Sequence, residues 1–247
     1  MANPNILITA GCSFSTSDGE SITWPIHLEK MLKPKIKLHL GQGALGNGMI
    51  SRRVIHAVTE QLKTHDSKEL LVGIMWSSFN RLELYNKNTI PHHSVNHGPT
   101  HHNPLKVAGK KNFYLINCHY EDDTSSLYYK NFYNETYATI LTLEHILRVQ
   151  WFLKSHNIKY FMTLYMQSAL PIGLNKYESG ILNDPDVRYL YDLIDKSNWL
   201  SIEGMIEYVE TKKFTDIRYA NHPSTEEHRY FTESMIIPHL KSVGYIE

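Results

Sequence analysis

A serine is a poor nucleophile until a neighbouring base takes its proton, and in proteins that base is most often a histidine. Two places in the chain supply the members of such a pair. Near the start, the run Ile6-Leu7-Ile8-Thr9-Ala10 ends abruptly in Gly11-Cys12-Ser13-Phe14-Ser15, and a polar segment over residues 16–21 follows. Near the end, His222-Pro223-Ser224 stands before a helical pattern, with Pro223 fixing the histidine and Ser224 or Thr225 as helix cap. Together they point to nucleophilic acyl transfer, with Ser13 attacking and His222 taking the proton.

That chemistry needs elements that bring residues 13 and 222 to one place. In open α/β sheets, reactive residues gather outside the carboxyl ends of the strands. Residues 6–10 read as a first buried strand that delivers Ser13 to that edge. Thr23 is positioned to cap a helix over residues 24–32, where Pro25 in the first turn costs little and Lys33-Pro34 stops the helix. Ile36-Lys37-Leu38-His39-Leu40 alternates like a second strand with one polar face. A glycine-rich turn over residues 41–48 then opens a helix over residues 49–64. Leu70-Leu71-Val72-Gly73-Ile74-Met75-Trp76 is the near-continuous apolar run of a central parallel strand, and it ends in the polar set Ser77-Ser78-Phe79-Asn80-Arg81. A helix is predicted over residues 135–156, with Ile140, Leu143, Leu147 and Trp151 on one stripe, then a fourth strand over 158–164. Weaker helices over 185–197 and 201–210 and a closing helix over 225–243 complete the pattern. Residues 86–134 are rich in His, Asn, Pro and Tyr without a sustained period, and read as an insertion or lid rather than a second domain. Strands separated by helices predict a doubly wound parallel α/β sheet of flavodoxin-like order, in one domain spanning residues 1–247.

Four short blocks resemble the SGNH (GDSL-like) hydrolases, in a divergent branch seen in phage and marine microbial sequences. Gly11-Cys12-Ser13-Phe14-Ser15 stands for the family's Gly-Asp-Ser-x-Ser, and Trp24-Pro25 with Leu28 is similar to its first helix. Gly43-Ala44-Leu45-Gly46-Asn47 stands for the second block, Met75-Trp76-Ser77-Ser78 for the third and His222-Pro223-Ser224 for the last. The resemblance implies a three-layer α/β/α fold with about five parallel strands, an enzyme without cofactor or metal, and a serine esterase activity on a small or carbohydrate O-acyl ester; a cytoplasmic location is expected from the lack of a signal-peptide or membrane-span pattern. It makes Ser13 the nucleophile, His222 the base, and the N–H groups of Ser13 and Gly46 donors to the oxyanion. The family's third-block Asn is absent, so a hydroxyl of Ser77 or Ser78, or the Asn80 amide, is expected in its place. Tyr219 occupies the position of the family's Asp, three before His222. Asp216 or a backbone carbonyl is then expected to orient the imidazole, with a Ser–His dyad as the fallback. Asn47, Trp76 and Arg81 are expected to touch substrate. The alternative is an SGNH-like protein that binds a glycan or a partner protein without catalysis.

Other patterns in the chain carry readings of their own. Gly41-x-Gly43-x-x-Gly46 matches a dinucleotide fingerprint, with Glu60 as a downstream acid, but it follows the second strand rather than the first. His92, His93, His97, His101 and His102 suggest Zn²⁺ or Ni²⁺, although no acid or cysteine interleaves them. Tyr114, Tyr120, Tyr128, Tyr129 and Tyr133 form either an aromatic wall for a sugar or simple packing of the insertion. Arg52, Arg53 and Arg81 are candidates for recognising an acidic ligand, with solvation as the plainer reading. With 25 basic and 25 acidic residues the formal charge is zero, which argues against bulk nucleic-acid binding. No apolar run reaches the length of a membrane span, and the first residues carry no export signal pattern. The two cysteines, Cys12 and Cys118, imply no disulfide framework, and Cys12 is expected to pack as a small buried residue.

Overall fold

The computed structural model describes residues 3–16, 21–85, 113–119, 122–167, 170, 180–201, 204–215 and 222–247. Among these, the strands are β1 Ile6–Ala10, β2 Ile36–His39, β3 Leu70–Trp76, β4 Leu82–Tyr85, β5 Phe113–Ile116 and β6 Lys159–Leu164. The helices are α1 Trp24–Leu32, α2 Asn47–Leu62, α3 Asp123–Asn131, α4 Glu135–Ser155, α5 Pro185–Asp192, α6 Met205–Val209, α7 Thr225–Phe231 and α8 Ile237–Ser242.

The main sheet is parallel and runs β2-β1-β3-β6. Ile6 pairs with Ile36 on one side and Leu70 on the other, and Leu71 pairs with Lys159. β1 and β3 are buried along their whole length, as expected for central parallel strands covered on both faces. Of the roughly five strands expected, four form a continuous sheet. The fifth place holds a single parallel bridge between Met162 and Trp199, with the Leu200 N–H donating to the Met162 carbonyl at 3.0 Å. A 3₁₀ turn over Lys196–Asn198 and the exposed Ser201 leave too few residues between them for a longer strand.

Helices fall into two sets of neighbours. α2, α4 and α5 pack in sequence on one another, while α1 packs against α7 and the turn that follows it. α4 follows the expected bounds, but its buried face differs from the predicted stripe. Leu143, Ile146, Leu147, Val149 and Leu153 are buried, whereas Trp151 is 53% exposed. The 3.6-residue period carries position 151 off the face that Leu143 and Leu147 share. The closing helix is continuous in the chain but widens into a π turn over Thr232–Ile236. Pro238 lies just beyond it and has no N–H to continue the helical bonding.

The described part of the predicted insertion, 86–134, carries regular structure, and the strand just before it pairs with one inside it. β4 and β5 pair antiparallel, from Leu82 opposite Ile116 to Tyr85 opposite Phe113, and α3 lies within the same stretch. Four-residue strands are too short to impose a visible period in the sequence. The ribbon carries Arg81 and Asn117 back to the carboxyl end of β3. The five clustered histidines lie outside the described residues. Among the described residues no helix is long and apolar enough to cross a membrane, and no group of three or more His, Cys, Asp or Glu side chains is placed to hold a metal ion.

Candidate active site

Ser13 opens a one-turn 3₁₀ helix, Ser13–Ser15, directly beyond β1. As the first residues of that turn, Ser13 and Phe14 have N–H groups with no acceptor inside it. The turn is possible because two glycines let the chain close on itself. A Cβ at Gly11 would lie 2.3 Å from the Ser15 Oγ and 2.8 Å from the Met75 carbonyl oxygen. A Cβ at Gly41 would lie 2.0 Å from the Ser15 carbonyl oxygen. The loop after β2 therefore rests on the serine turn, and the Gln42 N–H donates to the Gly11 carbonyl at 3.3 Å.

His222 comes from 209 residues further along, and its Nε2 lies 2.7 Å from the Ser13 Oγ. The ring is placed by the start of α7. Ser224 caps that helix through a capping box with Glu227, whose carboxylate accepts the Ser224 N–H at 2.8 Å. This fixes the chain two residues after the histidine. The Phe14 ring lies 5.0 Å from the imidazole and 4.9 Å, edge-on, from Tyr165 at the end of β6. Asp216, the acid expected to orient His222, lies outside the described residues.

Trp24 joins the two halves of the pair. Its indole N–H donates to the Ser15 Oγ at 2.9 Å, in the turn that holds Ser13. Its backbone N–H donates to the His228 Nδ1 at 3.3 Å, in the helix that follows His222. That bond requires an unprotonated Nδ1, and burial pulls the His228 pKa down to about 3, with His27 and His222 adding to the effect.

The expected oxyanion donors are arranged differently from the prediction. The Gly46 N–H donates to the Glu83 Oε1 at 2.5 Å, and the Met49 N–H to its Oε2 at 3.2 Å. A side chain from β4 thus occupies the N-terminus of α2, where a carboxylate is favoured by the free N–H groups and the helix dipole. Burial pushes the Glu83 carboxyl up, while these N–H bonds and Arg52 and Arg53 oppose that shift. The same carboxylate fills the place a pyrophosphate would need in the dinucleotide reading, and the loop follows an edge strand. Gly41 and Gly46 serve close packing, whereas a Cβ at Gly43 would meet nothing within 4 Å. Ser77 is buried, and its Oγ accepts from the Arg81 Nη1 at 2.9 Å. Ser78 is also buried, beside the Tyr165 phenol. The Asn80 amide donates to the Cys118 Sγ at 3.3 Å, and its carbonyl accepts from the Tyr129 hydroxyl.

Two of the three expected substrate contacts are core residues instead. Trp76 is fully buried, because every position of β3 is covered. Asn47 is 2% exposed, and its amide clamps the end of β3: Oδ1 accepts the Ser77 N–H at 2.8 Å, and Nδ2 donates to the Ser77 carbonyl at 3.0 Å and the Thr142 Oγ1 at 3.3 Å. Arg81 is half-buried, with its guanidinium 5.8 Å from the Tyr165 ring centre. Tyr128, Tyr129 and Tyr133 form a cluster of mutual ring contacts near Asn80.

A second hydroxyl–imidazole–carboxylate array runs through Thr9, His39 and Glu29. The Thr9 Oγ1 to His39 Nδ1 distance is 2.7 Å, the His39 Nε2 to Glu29 Oε2 distance is 2.9 Å, and Lys37 also pairs with Glu29. Thr9 and His39 are buried within the sheet, so this array ties β1, β2 and α1 together rather than meeting a substrate. Both cysteines are free, and Cys12 is fully buried as expected.

A family model matches residues 15–247, and the chain belongs to that family, DUF6071, a family of unknown function. No curated protein matches the sequence.

Proposed function

We propose that this protein is a serine ester hydrolase of the SGNH type, with a three-layer α/β/α fold of flavodoxin-like strand order. The observation that carries the proposal is the 2.7 Å contact between the Ser13 Oγ and His222 Nε2 at the carboxyl end of β1. A hydroxyl at this distance from a histidine nitrogen transfers its proton as it attacks. The Ser13 oxygen bonds to the ester carbonyl carbon while His222 takes the proton. The imidazolium then returns it to the departing alcohol as the C–O bond breaks, leaving an acyl-serine. Water attacks that acyl group with His222 again as base, which releases the acid and restores the hydroxyl. The Ser13 N–H, unpaired within its turn, is the first donor to the oxyanion. Small acyl esters, including O-acylated sugars facing the tyrosine cluster, are the substrates this arrangement suits.

Hydrolysis of 4-nitrophenyl acetate tests the proposal. The wild-type protein is expected to release nitrophenol well above buffer, and Ser13→Ala to bring the rate down to background. Equal rates for the two proteins would remove Ser13 from the mechanism.

One observation favours a second reading, binding of an ester or glycan without turnover. The Gly46 N–H, which the resemblance assigns to the oxyanion, is held by Glu83, and loss of one such donor costs roughly 10²–10³ in turnover. Under this reading, wild type and Ser13→Ala are equally inert and bind the same sugar with equal affinity.

A further inference from the structure

Of the three arginines that the sequence offers for an acidic ligand, the structure separates one from the others. Arg53 is buried and spends its guanidinium on the protein, donating to the Leu40 carbonyl at 2.9 Å and to Gln42 at 2.6 Å. Arg52 is exposed on α2 and acts electrostatically on the buried Glu83. Arg81 is half-buried at the carboxyl end of β3. Its Nη1 donates to the Ser77 Oγ and its guanidinium lies against the Tyr165 ring. Among the described residues, no carboxylate is paired with it. A partly buried guanidinium that no described carboxylate pairs with is favourably placed to meet an arriving anion.

The position of this cation is what gives it a role. Tyr165 touches Arg81 on one side and Phe14 on the other, and Phe14 adjoins Ser13 and touches His222. A single aromatic ring therefore spans the space between the cation and the residues flanking the nucleophile. The Arg81 backbone packs closely on Gly46, where a Cβ would lie 2.8 Å from the Arg81 carbonyl oxygen, and the Arg81 N–H donates to the Ser78 carbonyl at 3.3 Å. One guanidinium N–H is bonded to the Ser77 hydroxyl, and the remaining N–H groups can form a fork for a planar anion.

We infer that Arg81 is the anion-recognition residue of this site, and that the ester it accepts carries a carboxylate near the scissile bond. This rests on the esterase reading for its chemistry, but not for its binding. The carboxylate pairs with the guanidinium above the Tyr165 ring, while the ester carbonyl reaches Ser13. The shared chemistry fits a charge on either the acyl or the alcohol portion.

Two matched ester pairs distinguish these sources: 4-nitrophenyl hydrogen adipate against 4-nitrophenyl hexanoate, and 4-acetoxybenzoate against its methyl ester. In at least one pair, the wild-type preference in kcat/KM for the charged member is expected to exceed that of Arg81→Gln by about tenfold or more, mostly through KM. Arg81→Lys is expected to keep part of the preference, because it keeps the charge but not the fork. Comparing two esters on the same protein sample cancels any loss of folded protein. The pair that responds identifies the charged portion. A charged-to-neutral ratio unchanged by Arg81→Gln in both pairs would overturn the inference while leaving the esterase standing. If the wild type hydrolyses none of the four esters, calorimetric titration of adipate into wild type and Arg81→Gln decides. Binding lost with the substitution sustains the Arg81 site without the esterase, and absent or equal binding overturns it.

Discussion

At the scale of single residues, the proposal depends on one hydroxyl and one imidazole. Ser13 and His222 meet at 2.7 Å although 209 residues separate them. Replacing His222 by Gln removes the base while keeping a polar side chain. It is expected to lower kcat by about 10³-fold or more with little change in KM, the pattern for a group that acts mainly in the transition state. Ester hydrolysis at fixed pH measures this. Both residues were legible because each sits next to residues that punctuate the chain. Gly11 ends a buried strand and Pro223 precedes a helix cap, so their places in the fold follow from local rules. Glu83 was not legible in the same way. Leu82-Glu83-Leu84 resembles any edge strand with an outward acid, and only the tertiary fold shows the carboxylate turned onto the Gly46 and Met49 N–H groups. Asn47 and Trp76 were misread for a related reason: the sequence places them near the strand end but does not say which way they face.

At the scale of elements, α1 is the part that aligns the pair. Trp24 donates its indole N–H to the serine turn and its backbone N–H to α7. Trp24→Phe keeps most of the buried ring and loses the bond to Ser15. It is expected to cost about 1–3 kcal/mol of stability, from the lost bond, the unpaired Ser15 oxygen and the smaller ring. If Trp24 positions Ser13, kcat also falls at temperatures where the variant is fully folded, and kinetics beside a thermal melt separate the two effects. His228 gives the same contact a pH dependence. Its folded pKa is about 3, below its ordinary value of about 6.5, so between these values the unfolded chain binds more protons than the folded one. This contribution to stability is fully present above about pH 6.5 and is lost progressively as pH falls toward 3. His145, which burial pulls down to about 4, acts in the same direction. The buried Glu83 carboxyl is shifted upward and acts in the opposite direction, its contribution declining as pH rises. His228→Asn keeps an acceptor near the position of Nδ1 and does not titrate. Its melting temperature is expected to fall less steeply than wild type between pH 6.5 and 4, and parallel curves would exclude His228 as the source.

At the scale of the whole molecule, the parallel sheet was legible because β1 and β3 are apolar throughout and helical periods separate the strands. Strand order puts Ser13 at the carboxyl end of β1, with β3 as its neighbour in the sheet, and Phe14 links it to Tyr165 beyond β6, where Arg81 lies against the ring. The β4–β5 ribbon was hidden by its short strands, and the fifth strand shrank to a bridge at Trp199. These failures share a cause. A four-residue strand at an edge gains its stability from the partner it pairs with rather than from its own pattern. The same sheet holds Ser13 in place, and the central question is whether that serine forms a covalent intermediate. The most direct measurement is the intact mass of the protein after treatment with a fluorophosphonate, a reagent that phosphonylates activated serines. The expected result is a single adduct that maps to Ser13 and is absent from Ser13→Ala. An unmodified wild type, or an adduct that persists unchanged in Ser13→Ala, would contradict the account.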